Sequence, residues 1–549
     1  MFGVTPMRYS RNFHEQTQTV FGGYDHREAA GDGTIYDMWN MCADQYPALT
    51  VRPRRGVHAI VKKPNGLYAR DCVAWVDGGK LVVDGVEVAD VADSRKILAG
   101  IQKKICIWPD KVVYDRETGE LTGMEAVWEG EGTFTDGTYA GEAALANTIE
   151  VAADLTGLFR AGDGVAVTAG VGGIEGEAMG AYVIQEIEYL PDSGKTELRF
   201  LEETWREMMP ETQEAAENPF PAPGTKIGIR IHRRAPALEG AFEHHNRIWG
   251  WHGGTICCCA LGDPTNWESF NGDATDSWEL VTGSAGDITG GISYGGRPVY
   301  FKERRIIRIY GDYPAQYATS ETESLGVEAG SGGSLAVAGD TLFYKSPAGI
   351  MAYSGGYPYD VSEALGQVQY RNAVAGSDGV KYYVFMVSPE GLPGIFVYDT
   401  RHRLWHREDS TFMVGFGWSG ELYALDENGS LEVLGSPRAQ VKGEEAIASG
   451  VEFGDFTEGT TRVKTPGRIV LRLELEEHAR LDISIRYDGG EWIHLKPLEG
   501  PLPKGQEEIV IKLQRCDHYR LRFVGRGEFG AKWTLFALTR ERCMGSNRK

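Results

Sequence analysis

The sequence has no run of about 18 uninterrupted apolar residues, so no membrane-spanning helix is expected. Met1–Gln18 has no apolar stretch of the secretory kind, so no cleaved leader is expected. Proline is sparse at 23 of 549 residues, and glycine keeps no third-residue period, which excludes collagen-like and Pro/Gly-rich low-complexity chains. The eight cysteines, at 42, 72, 106, 257, 258, 259, 516 and 543, lack paired CxxC spacing and are too few for a disulfide scaffold. Reduced thiols in a protein made in the cytoplasm are the expectation. Positive charge is in deficit, with 56 Lys and Arg against 78 Asp and Glu and a net charge of −22. That disfavours nucleic-acid binding through phosphate neutralisation.

Glycine is in excess: 72 residues, roughly 13% where about 7% is usual. Set among short apolar stretches, it signals many tight turns and a chain that is mostly β. Charge is uneven. Residues 111–220 hold 23 acidic and 6 basic residues, whereas 461–549 hold 12 acidic and 18 basic. Such shifts mark domain boundaries.

Residues 1–55 show little periodicity, end in the basic cluster Arg52, Arg54 and Arg55, and read as an arm leading into the first repeat. From 56 to 115 short Val-, Ile- and Tyr-rich strands alternate with Gly, Asn, Asp and Pro turns, as in an antiparallel meander. One short helix is expected near 93–102. Residues 116–233 carry the acidic excess and read as an inserted β domain resembling a small barrel, with a weak helix at 203–217.

The strand rhythm resumes over 234–440, where "GRPVYFKERRIIRIYG", "GDTLFYKSPAGIMAYSG" and "DGVKYYVFMVSPEGLPGIFVYD" repeat a strand–turn–strand phrase. Four short strands per unit at this spacing predict a propeller of roughly six blades, which protects its strand edges by radial packing. Residues 441–549 open with a polar linker. Clean alternation, as in "RLDISIRYD" and "YRLRFVGRG", then predicts a β-sandwich. The fold class is therefore all-β: an interrupted propeller followed by a sandwich.

Chemical motifs are scarce. No G-x-S-x-G elbow, no P-loop ending in G-K-[ST] and no H-E-x-x-H is read in the sequence. His244, His245 and His252 with Cys257, Cys258 and Cys259 could supply zinc ligands. In a strand, however, Cys258 faces away from Cys257 and Cys259, and a buried core strand is the reading preferred. "SFNGDATDSW" (269–278) is near a sialidase Asp-box but has the wrong spacing. No catalytic residue, cofactor or metal is assigned, and the chain is read as a non-enzyme.

Several phrases nonetheless resemble a known family. "DMWNMCADQYPALTVRPRRG" (37–56), "RIWGW" (247–251), "LGDPTNWESF" (261–270), "GDTLFYKSPAGIMAYSGGYPYDVSE" (339–363) and "YRLRFVGRGEFGAKWTLFALTRE" (519–541) are similar to segments of the tubular tail nozzle proteins of short-tailed phages. These are also described as packaged-DNA stabilisation proteins. The resemblance covers about four-fifths of the chain, and the insertion has no counterpart. It implies a homo-hexameric ring in the virion tail, assembled in the host cytoplasm below a portal adaptor. Genomic DNA would pass through the lumen without sequence-specific binding, and a host surface is a further possible partner. Arg52, Arg54 and Arg55 are the candidate assembly contacts. Alternatives from other classes are a receptor-binding or tail-tip propeller and a propeller-fold glycan hydrolase.

Overall fold

The computed structural model describes residues 13–28, 31–135, 138–139, 142–143, 148–169, 178–200, 226–435, 443–512 and 514–543. Among them there is no α-helix. Antiparallel strands form two compact units: Met1–Asp77 with Val327–Lys549, and Gly78–Gly326. The blade repeat is plain in each. A four-stranded antiparallel meander recurs seven times among the described residues, one more than the six expected.

In the second unit the meanders run over Ile97–Gly123, Gly240–Val281 and Gly290–Glu323. Ile97–Ile101 is a strand and not the short helix expected near 93–102. Its isoleucines and its pairing with Lys104–Trp108 outweigh the helix-like pattern. The stretch 203–217, read as a weak helix, lies outside the described residues.

The insertion is a closed six-stranded barrel, as the sequence predicted. Its strands are Ala126–Thr135, Thr148–Val151, Gly164–Ala169, Ala178–Leu190, Lys195–Phe200 and Lys226–Arg233. Alternation builds it. Thr196, Leu198 and Phe200 are buried while Lys195 and Arg199 are exposed. Ile149, Val165, Tyr182, Ile184, Ile229 and Ile231 complete the core. Buried Asp163 braces the barrel by accepting a 2.6 Å bond from Arg233.

In the first unit the meanders run over Ala336–Asp360, Arg371–Arg407 and Met413–Leu434, the last completed by Gly56–Ile60 from early in the chain. The meander from Pro64 to Asp90 carries the chain onward into the second unit. First strands of successive sheets lie side by side, and glycine permits it. A Cβ on Gly376 would sit 2.5 Å from Phe416 Cβ, and one on Gly417 would sit 2.7 Å from Ala69 Cβ.

The sandwich departs from the expected domain plan. One sheet joins Met41–Cys42 and Leu49–Val51 to Trp533–Cys543, Thr465–Leu475 and Leu502–Val510, with Phe13–Gln18 also paired to Trp533–Cys543. The other joins Ile35–Trp39 to Ala446–Phe453, Tyr519–Glu528, Ala479–Tyr487 and Ile493–Glu499. Residues 13–51 therefore belong to the sandwich rather than opening the propeller. Strands of two to six residues, one with a bulge between Ile35 and Asp37, are too short to show a period. The interior is aliphatic and aromatic, with Ile483, Leu521, Phe523, Leu535 and Leu538 wholly buried.

Candidate functional site

The link from Leu49–Val51 to Gly56–Ile60 carries the three arginines singled out in the sequence. Arg52 is 3% exposed and grips Glu444 with both terminal nitrogens, at 2.8 and 2.7 Å. Its Nε donates to Asn40 Oδ1 at 2.7 Å. Arg55, equally buried, reaches Glu408 at 2.5 Å, Asp409 at 2.9 Å and Glu432 at 3.3 Å. Arg54 donates to the carbonyl oxygens of Glu444 and Gly443 at 2.6 and 2.7 Å. These guanidiniums tie the link to residues 443–444 and to the last meanders. Arg52, Arg54 and Arg55, read in the sequence as candidate assembly contacts, are thus each held by partners within their own chain. A sequence shows that arginines cluster; it does not show the carboxylates that arrive from some 350–390 positions away.

Two guanidiniums thus meet four carboxylates in a dry setting. Burial pushes Asp409 upward, but Arg55 and Arg52 overcome it and hold the carboxyl below the ordinary range. Glu444 is likewise held down against burial by its bonds to Arg52. Glu432 has only the longer contact with Arg55, so burial prevails and its carboxyl is raised.

Beside this cluster lies a cavity of about 280 Å³, lined by Cys42, Asp44, Arg55, Lys381, His406 and Glu408 among others. Lys381 Nζ meets Asp44 Oδ1 at 2.5 Å. Burial, helped by Lys381, drives the His406 imidazole down to about 4, and burial lifts the Cys42 thiol to about 12. At neutral pH the cavity therefore offers an uncharged imidazole and an uncharged thiol beside the Lys381–Asp44 pair, with Glu408 and Asp378 also on its lining. Arg401, held by Asp399 at 2.8 Å, stands half-exposed on its lining. Such a lining can hydrogen-bond a small polar ligand. None of its residues but Arg52 and Arg55 stood out in the sequence, because they come from separate strands.

In the second unit the histidine–cysteine set divides as strand alternation requires. Cys257 and Cys259 pack in one apolar cluster and Cys258 in another. His244 stacks on His245, with ring centres 3.9 Å apart. Among the described residues no group of three or more His, Cys, Asp or Glu is placed to hold a metal.

One string passed over in the sequence is Gly291-Ile292-Ser293-Tyr294-Gly295, which has the G-x-S-x-G spacing. Ser293 lies inside the strand Gly290–Tyr294 and not at a strand-to-helix turn, so it is no nucleophile elbow. Its Oγ is nevertheless 2.8 Å from His244 Nδ1. The Asp-box-like stretch is structural. Asp276, 3% exposed, accepts backbone N–H bonds from Asn271, Gly272 and Asp273 at 2.5, 2.7 and 3.0 Å.

No protein-family profile and no curated protein matches this sequence. Among solved structures, an exo-β-1,3-galactanase of Phanerochaete chrysosporium matches at 9% identity and a TM-score of 0.22, over 55% of this chain and 95% of that one. Kluyveromyces marxianus Hsv2 matches at 12% and 0.25, over 42% of this chain and 82% of that one. An acylaminoacyl peptidase of Pyrococcus horikoshii matches at 12% and 0.22, over 71% of this chain and 57% of that one. Glycoside hydrolases recur among the neighbours. The expectation of a non-enzyme, which rested on missing motifs, is corrected against them and withdrawn. Likeness at such scores assigns no substrate or activity. The conclusion at the level of fold is that the chain is an all-β protein of the propeller class.

Proposed function

We propose that this chain is a tail component of the nozzle type, a rigid β subunit of a ring that retains and then conducts a packaged genome. One observation carries the reading. Two of the phrases that resemble nozzle proteins, 37–56 and 519–541, lie at opposite ends of the sequence yet form one sandwich. Leu49 and Thr50 pair with Leu535 and Thr534, and Trp39 pairs with Gly450 beside Val524. A resemblance made of unrelated local matches would have no reason to converge on one domain. The internal arginine ties suit the role as well, since a conduit must hold its parts in fixed register. A net charge of −22 suits a surface past which DNA slides without adhering.

Immunogold labelling of phage particles from the source, raised against this chain, tests the proposal. Label on one vertex, at a short stub below the capsid, is the expected result. Absence of label from every particle, or label at the far end of a long tail, overturns it.

A second reading, a propeller acting on glycans, is favoured by the polar cavity with Asp44, Asp378 and Glu408 on its lining. Its test is release of reducing ends from a panel of polysaccharides. The released activity should fall by orders of magnitude in Asp378→Asn; an inactive wild-type chain would end that reading.

A further inference from the structure

The outward face of the sandwich sheet built on Tyr519–Glu528 carries a second and unrelated arrangement. Alternation sends Leu521 and Phe523 inward and Arg520, Arg522 and Arg526 outward. On the neighbouring strand Arg480, Asp482, Ser484 and Arg486 face the same way. Cross-strand register sets Glu452, Arg522 and Ser484 in one row.

Three of the arginines are committed, Arg480 through Asp482 at 3.1 Å. Arg520 donates to Asp455 at 2.5 Å and to Glu452 at 3.1 Å, and lies 4.4 Å from the centre of the Tyr36 ring. Arg486 reaches the same Glu452 oxygen at 3.5 Å and stacks 4.8 Å from the Trp492 ring. Glu452 is thereby drawn diagonally away from the residue directly opposite it.

That residue, Arg522, has no salt bridge among the described residues. Its guanidinium stands between two indoles, 5.4 Å from Trp39 and 5.7 Å from Trp492, farther than in either neighbouring stack. Its Nε is shielded from solvent and has no hydrogen-bond partner. The place is also built. Trp39 lies flat on the sheet because position 450 is glycine: a Cβ there would fall 2.2 Å from the indole.

We infer that this face binds an acidic glycan, with the carboxylate of a uronic or sialic acid taken by Arg522 and pyranose faces resting on Trp39 and Trp492. Indoles offer flat apolar platforms with a polar edge. A guanidinium matches a carboxylate through paired, charge-assisted hydrogen bonds. One guanidinium held between two indoles suits one carboxylate. It does not suit a run of phosphates, which needs several such cations spaced along a backbone. The site lies in the sandwich and does not rest on either reading of the propeller.

The test is calorimetric titration of the full chain with 3′-sialyllactose and with trigalacturonate, using lactose as the neutral control. At least one acidic sugar should bind, and lactose at least about tenfold more weakly. Arg522→Gln and Trp492→Ala should each weaken that binding by a similar factor with an unchanged melting temperature. Arg526→Gln, on the same face but outside the indole pair, should bind as the parent does. Equal binding of acidic and neutral sugars, no binding at millimolar concentration, or an Arg522→Gln variant that binds normally each overturns the proposal. So does tighter binding of a thymidine oligonucleotide with steep salt dependence, which would assign the face to phosphate.

Discussion

Thr50 and Thr534 stand 484 positions apart and share a 2.9 Å hydrogen bond between their hydroxyls inside the sandwich. This contact joins the start of the chain to its end through two buried polar groups. Replacing Thr50 by Val leaves the Thr534 hydroxyl buried without its partner and should cost about 1–3 kcal/mol. Adding Thr534→Val should restore part of that loss. Urea unfolding followed by the fluorescence of buried Trp533 reads both.

Glu444 is the anion on which the link depends. With Glu444→Ala, the only carboxylates left to Arg52 are Glu408 and Asp409, each 3.7 Å away. Removing one partner of a buried pair typically costs about 3–5 kcal/mol, and Glu444→Gln should cost less because it still accepts a hydrogen bond. Denaturation midpoints of the two variants, compared in one buffer, check the order.

His406 sets an acid dependence whose sign is fixed. The buried imidazole titrates near 4 in the folded chain against an ordinary 6.5. The unfolded chain therefore takes up a proton first as pH falls. The stability that His406 contributes is complete above 6.5 and is lost progressively between 6.5 and 4, by about 3 kcal/mol in all. His244 acts in the same sense in the other unit. Unfolding free energies measured at pH 7, 6, 5 and 4.5 should fall steadily, and His406→Gln should flatten the slope.

Seven cysteines, at 42, 72, 106, 257, 258, 259 and 516, are buried. Burial raises Cys42 to about 12 and Cys516 to about 11, so almost no reactive thiolate forms at pH 8. A thiol-disulfide reagent should leave all seven unmodified for minutes in the native chain and modify them at once in denaturant. Rapid native labelling of Cys42, located by mass spectrometry, would contradict the packing described for it.

The parts of the fold visible in the sequence are those governed by local alternation. "RLDISIRYD" announces a strand with one polar face, and the structure buries Leu481, Ile483 and Ile485 as that pattern requires. The barrel insertion was visible for the same reason. The fate of residues 13–51 was not, because strands of two to six residues are defined by their partners at 446–453 and 533–543 and not by their own period. The number of repeats was less legible, because the sheet of Met413–Leu434 takes its fourth strand, Gly56–Ile60, from the other end of the sequence. Arg52 and Arg55 stood out as a basic cluster, but their burial depends on Glu408, Asp409 and Glu444, which no local window contains.

Strand Gly56–Ile60 completes the sheet of Met413–Leu434. It leaves the ribosome early and waits for a partner roughly 370 residues downstream. At usual elongation rates that wait is about 20–75 s. During that interval the second unit, contiguous from Gly78 to Gly326, can fold on its own contacts, while the early strand carries unpaired backbone groups. Every residue of the middle unit is therefore synthesised before the sheet that takes in Gly56–Ile60 can be completed. A transcript stopped before Leu434 yields a folded middle flanked by an open strand edge, a form open to edge-to-edge association.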